Sequence, residues 1–124
     1  SIIAVEKVPS SQTSKYGIID GNLIDNLNGL YKVNTMIEKP QAKDAPSNMA
    51  IIGRYILTPD IFDILKNIKP GINNEVQLTD ALQVLAKKGK VLALNFKGRR
   101  FDCGSIRGYL EATNHFAKKL NISI

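Results

Sequence analysis

The sequence holds a single cysteine, Cys103, so no disulfide can form within the chain. That count fits a reducing, cytoplasmic setting. No apolar run approaches the ~20 residues that a membrane-spanning helix needs. Residues Ser1–Pro9 show neither the basic stretch nor the cleavage site of a secretory signal. Repeats and low-complexity tracts are absent. The one histidine, His115, stands nine positions after Ile106, half a turn off the apolar side of its segment, and is expected to be exposed. No Ser–His–Asp arrangement or zinc-ligand spacing is present. No two glycines stand two apart, so the chain has no G-x-G loop to cradle a nucleotide triphosphate. Acid is also short, with 11 Asp and Glu against 17 Lys and Arg, a formal charge of +6. The basic residues fall into small groups: Lys87, Lys88 and Lys90; Lys97, Arg99 and Arg100; Lys118 and Lys119. No aromatic residues interleave with them and no nucleic-acid motif appears. The charge therefore reads as a solvated basic surface. A basic nucleic-acid-binding domain is the lesser alternative.

What remains is globular. The chain has 124 residues, 44% hydrophobic and 23% charged, which is the size and composition of one domain. Such a chain can bury roughly two-thirds of its unfolded surface.

The order of elements can be read from pattern and punctuation. Ile2–Val8 reads as a buried strand ended by Pro9. Ser10–Ser14 reads as a polar loop and Tyr16–Ile19 as a short extended stretch. Asp20-Gly21 is a turn signal and Asn22–Gly29 a polar loop. Leu30–Glu38 reads as a strand stopped by Pro40, with a second polar loop over Gln41–Asn48. Met49–Leu57 reads as a strand buried over most of its length. Thr58-Pro59-Asp60 starts a helix that aligns Ile61, Leu65 and Ile68, with Phe62 beside them. A second helix starts near Thr79-Asp80 and ends at Gly89. Val91–Phe96 reads as a strand. A third helix starts at Ser105, with Ile106, Tyr109, Leu110, Thr113, Phe116, Ala117 and Leu120 on one side. The result is an α/β domain with a mixed sheet and about three helices. An opening directly in a strand suggests either a cut in the chain at that point or an upstream domain. Strands buried on both sides would lack natural neighbours, so a homo-oligomer is expected.

Four segments carry chemistry: KYGIIDG at Lys15–Gly21, MIEKP at Met36–Pro40, APSNMAIIGRYILTPDIFDIL at Ala45–Leu65, and NEVQLTDAL followed by RRFDCGSIRGYLEA. In order and spacing they resemble the bacterial UTP–glucose-1-phosphate uridylyltransferases, or UDP-glucose pyrophosphorylases, over nearly the whole chain. The RRFDCG segment resembles that branch rather than the thymidylyltransferases. The resemblance implies the later, carboxyl-terminal sugar-binding part of a Rossmann-like nucleotidyltransferase of carbohydrate metabolism, with the amino-terminal nucleotide-binding part absent. The reaction it implies joins UTP and glucose 1-phosphate to give UDP-glucose and pyrophosphate, with Mg2+ as cofactor. A stand-alone sugar-phosphate-binding module without catalysis is the other alternative.

A sugar phosphate needs hydroxyl acceptors, a cation and close backbone approach. Glu38 can accept two hydroxyl hydrogens, and Lys39 can meet phosphate as a mobile point charge. Neighbours on a regular strand face opposite sides, so both can serve one site only if the strand ends there; Pro40 favours an ending. From residue types alone, a surface Glu–Lys pair is the simpler reading. The resemblance implies instead that Glu38 holds the glucose hydroxyls and that Lys39, as catalytic residue, holds the phosphate. It places the backbone of Gly17 and of Ile51 against the hexose and Asp102 on the metal. By residue type, Gly17 would be a bulge or turn, Ile51 core, and Asp102 a turn or cap. Cys103, with no base or second ligand beside it, reads as a buried inert thiol.

Without a triphosphate loop and a second metal carboxylate, the isolated chain is expected to release no pyrophosphate from UTP and glucose 1-phosphate in the presence of magnesium. Turnover above background by a clean preparation would contradict this.

Overall fold

The structure, a computed structural model, describes residues 1–71 and 74–122. Five strands form it: β1 (Ile2–Lys7), β2 (Gly17–Asp25), β3 (Leu30–Glu38), β4 (Met49–Ile56) and β5 (Leu92–Asn95). β1 pairs antiparallel with β4 and parallel with β5. β2 and β3 form a long antiparallel hairpin. β2 also meets β4 at Ile18 and Ile19, and β3 meets β5 over Leu30–Lys32. The expected mixed sheet is thus present, and it closes on itself in the order β1-β4-β2-β3-β5. No helix among the described residues is long and apolar enough to cross a membrane.

The Asp20-Gly21 signal is not a turn. Both residues lie inside β2 and are paired with β3, Asp20 with Thr35 and Gly21 with Val33. The register shift between them leaves Asn34 of β3 as the extra residue, so the irregularity lies on the partner strand. Gly21 sits against the backbone of Lys32, and the Asp20 carboxylate accepts from Asn34 Nδ2 at 3.1 Å. The actual turn comes later. There Asp25 Oδ1 accepts the backbone N–H of Leu27 (3.0 Å) and of Asn28 (3.2 Å). Asn28 Nδ2 donates to Asp25 Oδ2 at 2.6 Å, and this bond leads the effects that hold the Asp25 carboxyl below its ordinary range. Ser10–Ser14, expected as a loop, falls within a 3₁₀ helix over Ser10–Lys15, whose Thr13 is buried and bonds to Ser10 O.

Helices α1 (Asp60–Asn67) and α2 (Leu78–Lys87) pack together, and α2 lies on β3. Ile3, Val5, Ile19 and Val33 meet Ile61, Leu82 and Leu85 in one core. α1 begins after Thr58-Pro59 as expected, but Phe62 is exposed. β4 is buried only at Met49, Ala50 and Ile51, while Tyr55 and Ile56 are exposed. β1 alternates, with Ile3 and Val5 inside and Ile2 outside. Neither strand is covered on both sides, because helices line one face of the closed sheet only. A continuous apolar run cannot report that difference.

Helix α3 (Ile106–Lys119) starts at Ser105, whose Oγ accepts the Gly108 N–H at 3.1 Å. Its apolar side does not form the core contact that periodicity predicts. Ile106, Tyr109, Leu110, Phe116 and Leu120 are exposed, while Gly108 and Ala117 are buried. α3 docks on the loop before it rather than on the sheet. A Cβ at Gly108 would stand 1.9 Å from the Asp102 carbonyl oxygen, so only glycine allows this approach. His115, expected in solvent, is half-buried, with its ring centroid 5.2 Å from that of Phe101 and 5.3 Å from that of Phe116. Cys103, expected to be buried, is exposed.

Gly108→Ala should force α3 off this loop at a cost of ~1–3 kcal/mol. Hydrogen exchange should then show loss of protection along α3 with the strand amides unchanged; unaltered α3 protection would contradict the docking contact.

Candidate functional site

The start of β2, the end of β3, the middle of β4 and the first turn of α2 meet around a cleft of about 350 Å³. Gly17, Glu38 and Ile51 all line it, together with Tyr16, Tyr55 and Thr79. Three of the residues singled out from the sequence therefore share one site. Gly17 and Glu38 face each other directly across the β2–β3 ladder. The absent side chain of Gly17 is what keeps the cleft open. A Cβ there would stand 3.0 Å from Glu38 Oε2, 3.1 Å from Ile51 Cδ1 and 3.4 Å from Thr79 Oγ1.

Glu38 is half-buried, and Thr79 Oγ1 donates to its Oε2 at 2.5 Å. Tyr55 lies near enough to sense the acid. Burial first, and the Glu38 charge second, push its phenol above the ordinary tyrosine value. β3 ends at Glu38, as Pro40 suggested. Lys39 comes next in the left-handed region at φ 46, with its N–H bonded to Tyr16 O at 3.0 Å. Its side chain is exposed and does not line the cleft. The break in strand geometry thus puts the two neighbours in different settings, the acid inside and the cation beside the opening.

Asp102 lies elsewhere. It lines an adjoining cleft of about 620 Å³ with Arg54, Arg99, Arg100, Phe101 and Phe116. Its Oδ1 accepts the Gly104 N–H at 3.1 Å, and its carbonyl accepts from Ser105. That is the turn-and-cap role that residue type predicts. Among the described residues, no three His, Cys, Asp or Glu side chains gather as a metal site. Ile52 and Arg100 line both clefts. Arg100 Nε donates to Glu6 Oε1 at 2.6 Å and Nη2 donates to Tyr16 Oη at 3.0 Å. Burial pulls its pKa down, but the bonds to Tyr16 and Glu6 and the Glu6 charge outweigh that and raise it. Arg100 therefore stands as a fixed cation on the wall between the clefts.

The sequence profile of the nucleotidyl transferase family matches residues 1–119. The chain belongs to the nucleotidyl transferase family. It is 57% identical over 114 residues to a UTP–glucose-1-phosphate uridylyltransferase of Pseudomonas aeruginosa, covering 92% of this chain and 40% of that protein. It is 51% identical to one of Streptococcus pyogenes over 119 residues, covering 94% of this chain and 38% of that protein. Among solved structures, a UDP-glucose pyrophosphorylase complexed with UDP-glucose superposes with a TM-score of 0.88 at 54% identity, over 95% of this chain and 44% of the other. The UTP-bound UGPase of Acinetobacter baumannii superposes at 0.77 with 38% identity, over 95% of this chain and 40% of the other. The chain thus spans about two-fifths of the nucleotidyl transferases it matches. The mixed sheet with several helices is that of a Rossmann-like nucleotidyltransferase domain. These matches do not support the placement expected from the sequence, as the later, carboxyl-terminal part of such a protein.

Thr79, Tyr55 and Arg100 are site residues that sequence reading did not single out. Thr79 reads as a helix cap, yet α2 starts one residue earlier and its hydroxyl turns to Glu38. Arg100 reads as one of a basic group, yet Glu6, distant in sequence, fixes it.

The Tyr55 environment yields a titration test. In Glu38→Gln, the Tyr55 midpoint should move part of the way back toward the ordinary value, because burial remains. Labelled-tyrosine NMR across alkaline pH would track it; an unchanged midpoint would show that Glu38 does not act on Tyr55.

Proposed function

We propose that the chain is the sugar-phosphate-binding part of an enzyme that makes UDP-glucose and pyrophosphate from UTP and glucose 1-phosphate. The observation that carries this reading is the convergence of Gly17, Glu38 and Ile51 on one cleft, with an acid on its wall and backbone laid bare at the glycine. Membership of the nucleotidyl transferase family supports it. So do relatives named UTP–glucose-1-phosphate uridylyltransferase and a similar structure complexed with UDP-glucose.

In this reading the hexose lies against Gly17 and Ile51 and gives its hydroxyl hydrogens to Glu38. Lys39 swings from its exposed position to the phosphate of the sugar. That phosphate oxygen attacks the α-phosphorus of UTP in line; the new P–O bond forms as the bond to the β-phosphate breaks, and pyrophosphate leaves. Catalysis of this kind is mostly positioning and charge neutralisation. Asp102 would offer one carboxylate to a divalent ion, taken here as Mg2+, which supplies neutralisation of phosphate charge when bound. Such an ion usually takes one or two carboxylates plus phosphate oxygens. The lone, exposed Asp102 fits one ligand position of a shared site, not a complete one. The activity belongs to the longer protein, since the uridylyltransferases matched here are more than twice as long as the shared segment.

Lys39→Ala in the full-length protein tests the assignment. A charge-assisted bond to phosphate is worth roughly 1.5–3 kcal/mol. Catalytic efficiency should therefore fall by more than about tenfold. The melting temperature should hardly move, because the exposed Lys39 side chain packs on little. A smaller kinetic loss would remove Lys39 from the phosphate.

A further inference from the structure

Resting on the sugar-phosphate reading of the cleft, we infer that Thr79 is a positioning residue that sets the glucose-facing geometry of Glu38. β3 has a strand neighbour on this edge only over Leu30–Lys32, where β5 pairs with it. Beyond that point α2 takes over. Gln83 Oε1 accepts the Met36 N–H at 2.8 Å, and Gln83 Nε2 donates to Thr35 Oγ1 at 2.8 Å. One helical turn earlier, Thr79 Oγ1 donates to Glu38 Oε2. Thr79 is almost fully buried, at 8% exposure, so its hydroxyl has little water to turn to. Glu38 is the last residue of its strand and precedes a left-handed residue, so the ladder alone leaves its side chain loosely held.

The bond from Thr79 occupies Oε2 and fixes the carboxylate plane, leaving Oε1 and the outer lone pair of Oε2 for ligand hydroxyls. An acid held this way rejects a sugar lacking the matching hydroxyl, because its acceptor would then be buried and unpaired. Thr79 touches no substrate in this scheme; it acts through Glu38.

Steady-state kinetics of the full-length protein test this with Thr79→Val, Thr79→Ser and Glu38→Gln, each checked for an unchanged folded state by thermal melting. Thr79→Val keeps the shape and removes the donor. It should lower kcat/KM for glucose 1-phosphate by about tenfold, leave KM for UTP unchanged, and narrow the preference over deoxyglucose 1-phosphates. Thr79→Ser should recover most of the loss. A Thr79→Val enzyme with wild-type sugar kinetics, beside a Glu38→Gln enzyme that has lost them, overturns the positioning role and leaves the sugar site standing. Normal sugar kinetics in Glu38→Gln overturns the sugar site itself. Equal losses toward UTP and glucose 1-phosphate in Thr79→Val would make Thr79 a merely structural residue.

Discussion

Strand β3 runs out of strand partners a third of the way along one edge, and much of the domain is arranged around that fact. An unpaired strand edge leaves backbone donors and acceptors open. Here β5 covers the first three residues, and α2 covers the far end of the strand through Gln83 and Thr79. The same helix supplies Leu82 and Leu85 to the core. Core packing and edge satisfaction are thus met by one amphipathic element. Its polar contacts fall where β3 ends, so the acid at the strand end is tied to the body of the domain.

A cation stands on the wall between two acid-bearing clefts. Glu38 sits in one cleft and Asp102 in the next, with Arg100 lining both. Arg100 is itself paired with Glu6 of β1 and bonded to Tyr16 Oη. Tyr16 in turn accepts the Lys39 N–H through its carbonyl. Tyr16 therefore ties two segments together, its phenol to the loop that carries Arg100 and Asp102 and its carbonyl to the backbone of Lys39. The net charge of +6 is locally tempered where Glu6 meets Arg100.

Helix α3 shows how a correct period can give an incorrect face. The apolar residues do repeat at helical spacing, and the helix forms where Ser105 caps it. The contact that orients it, however, is the approach of Gly108 to the Asp102 carbonyl, joined by the half-buried His115 beside Phe101. No strand or other helix packs broadly against it among the described residues. Periodicity locates an apolar stripe; it does not say whether this segment of chain contains what covers it.

Much was determined by the sequence alone. β3 has the bounds read from its pattern, ending where Pro40 forbids continuation, and the three helices start within a residue or two of their signals. Those are local effects, since proline geometry and capping act over a few residues. The resemblance carried by four short motifs singled out Gly17, Glu38 and Ile51, which the fold gathers into one cleft. Tertiary structure alone decided the rest. Asp20-Gly21 stays within a strand because β3 lies beside it. Thr79 faces Glu38 because α2 covers the β3 edge, and Arg100 is fixed because Glu6 of β1 reaches the loop that carries it. Each is a contact between residues far apart in sequence, where the same residue type allows several roles until a neighbour selects one.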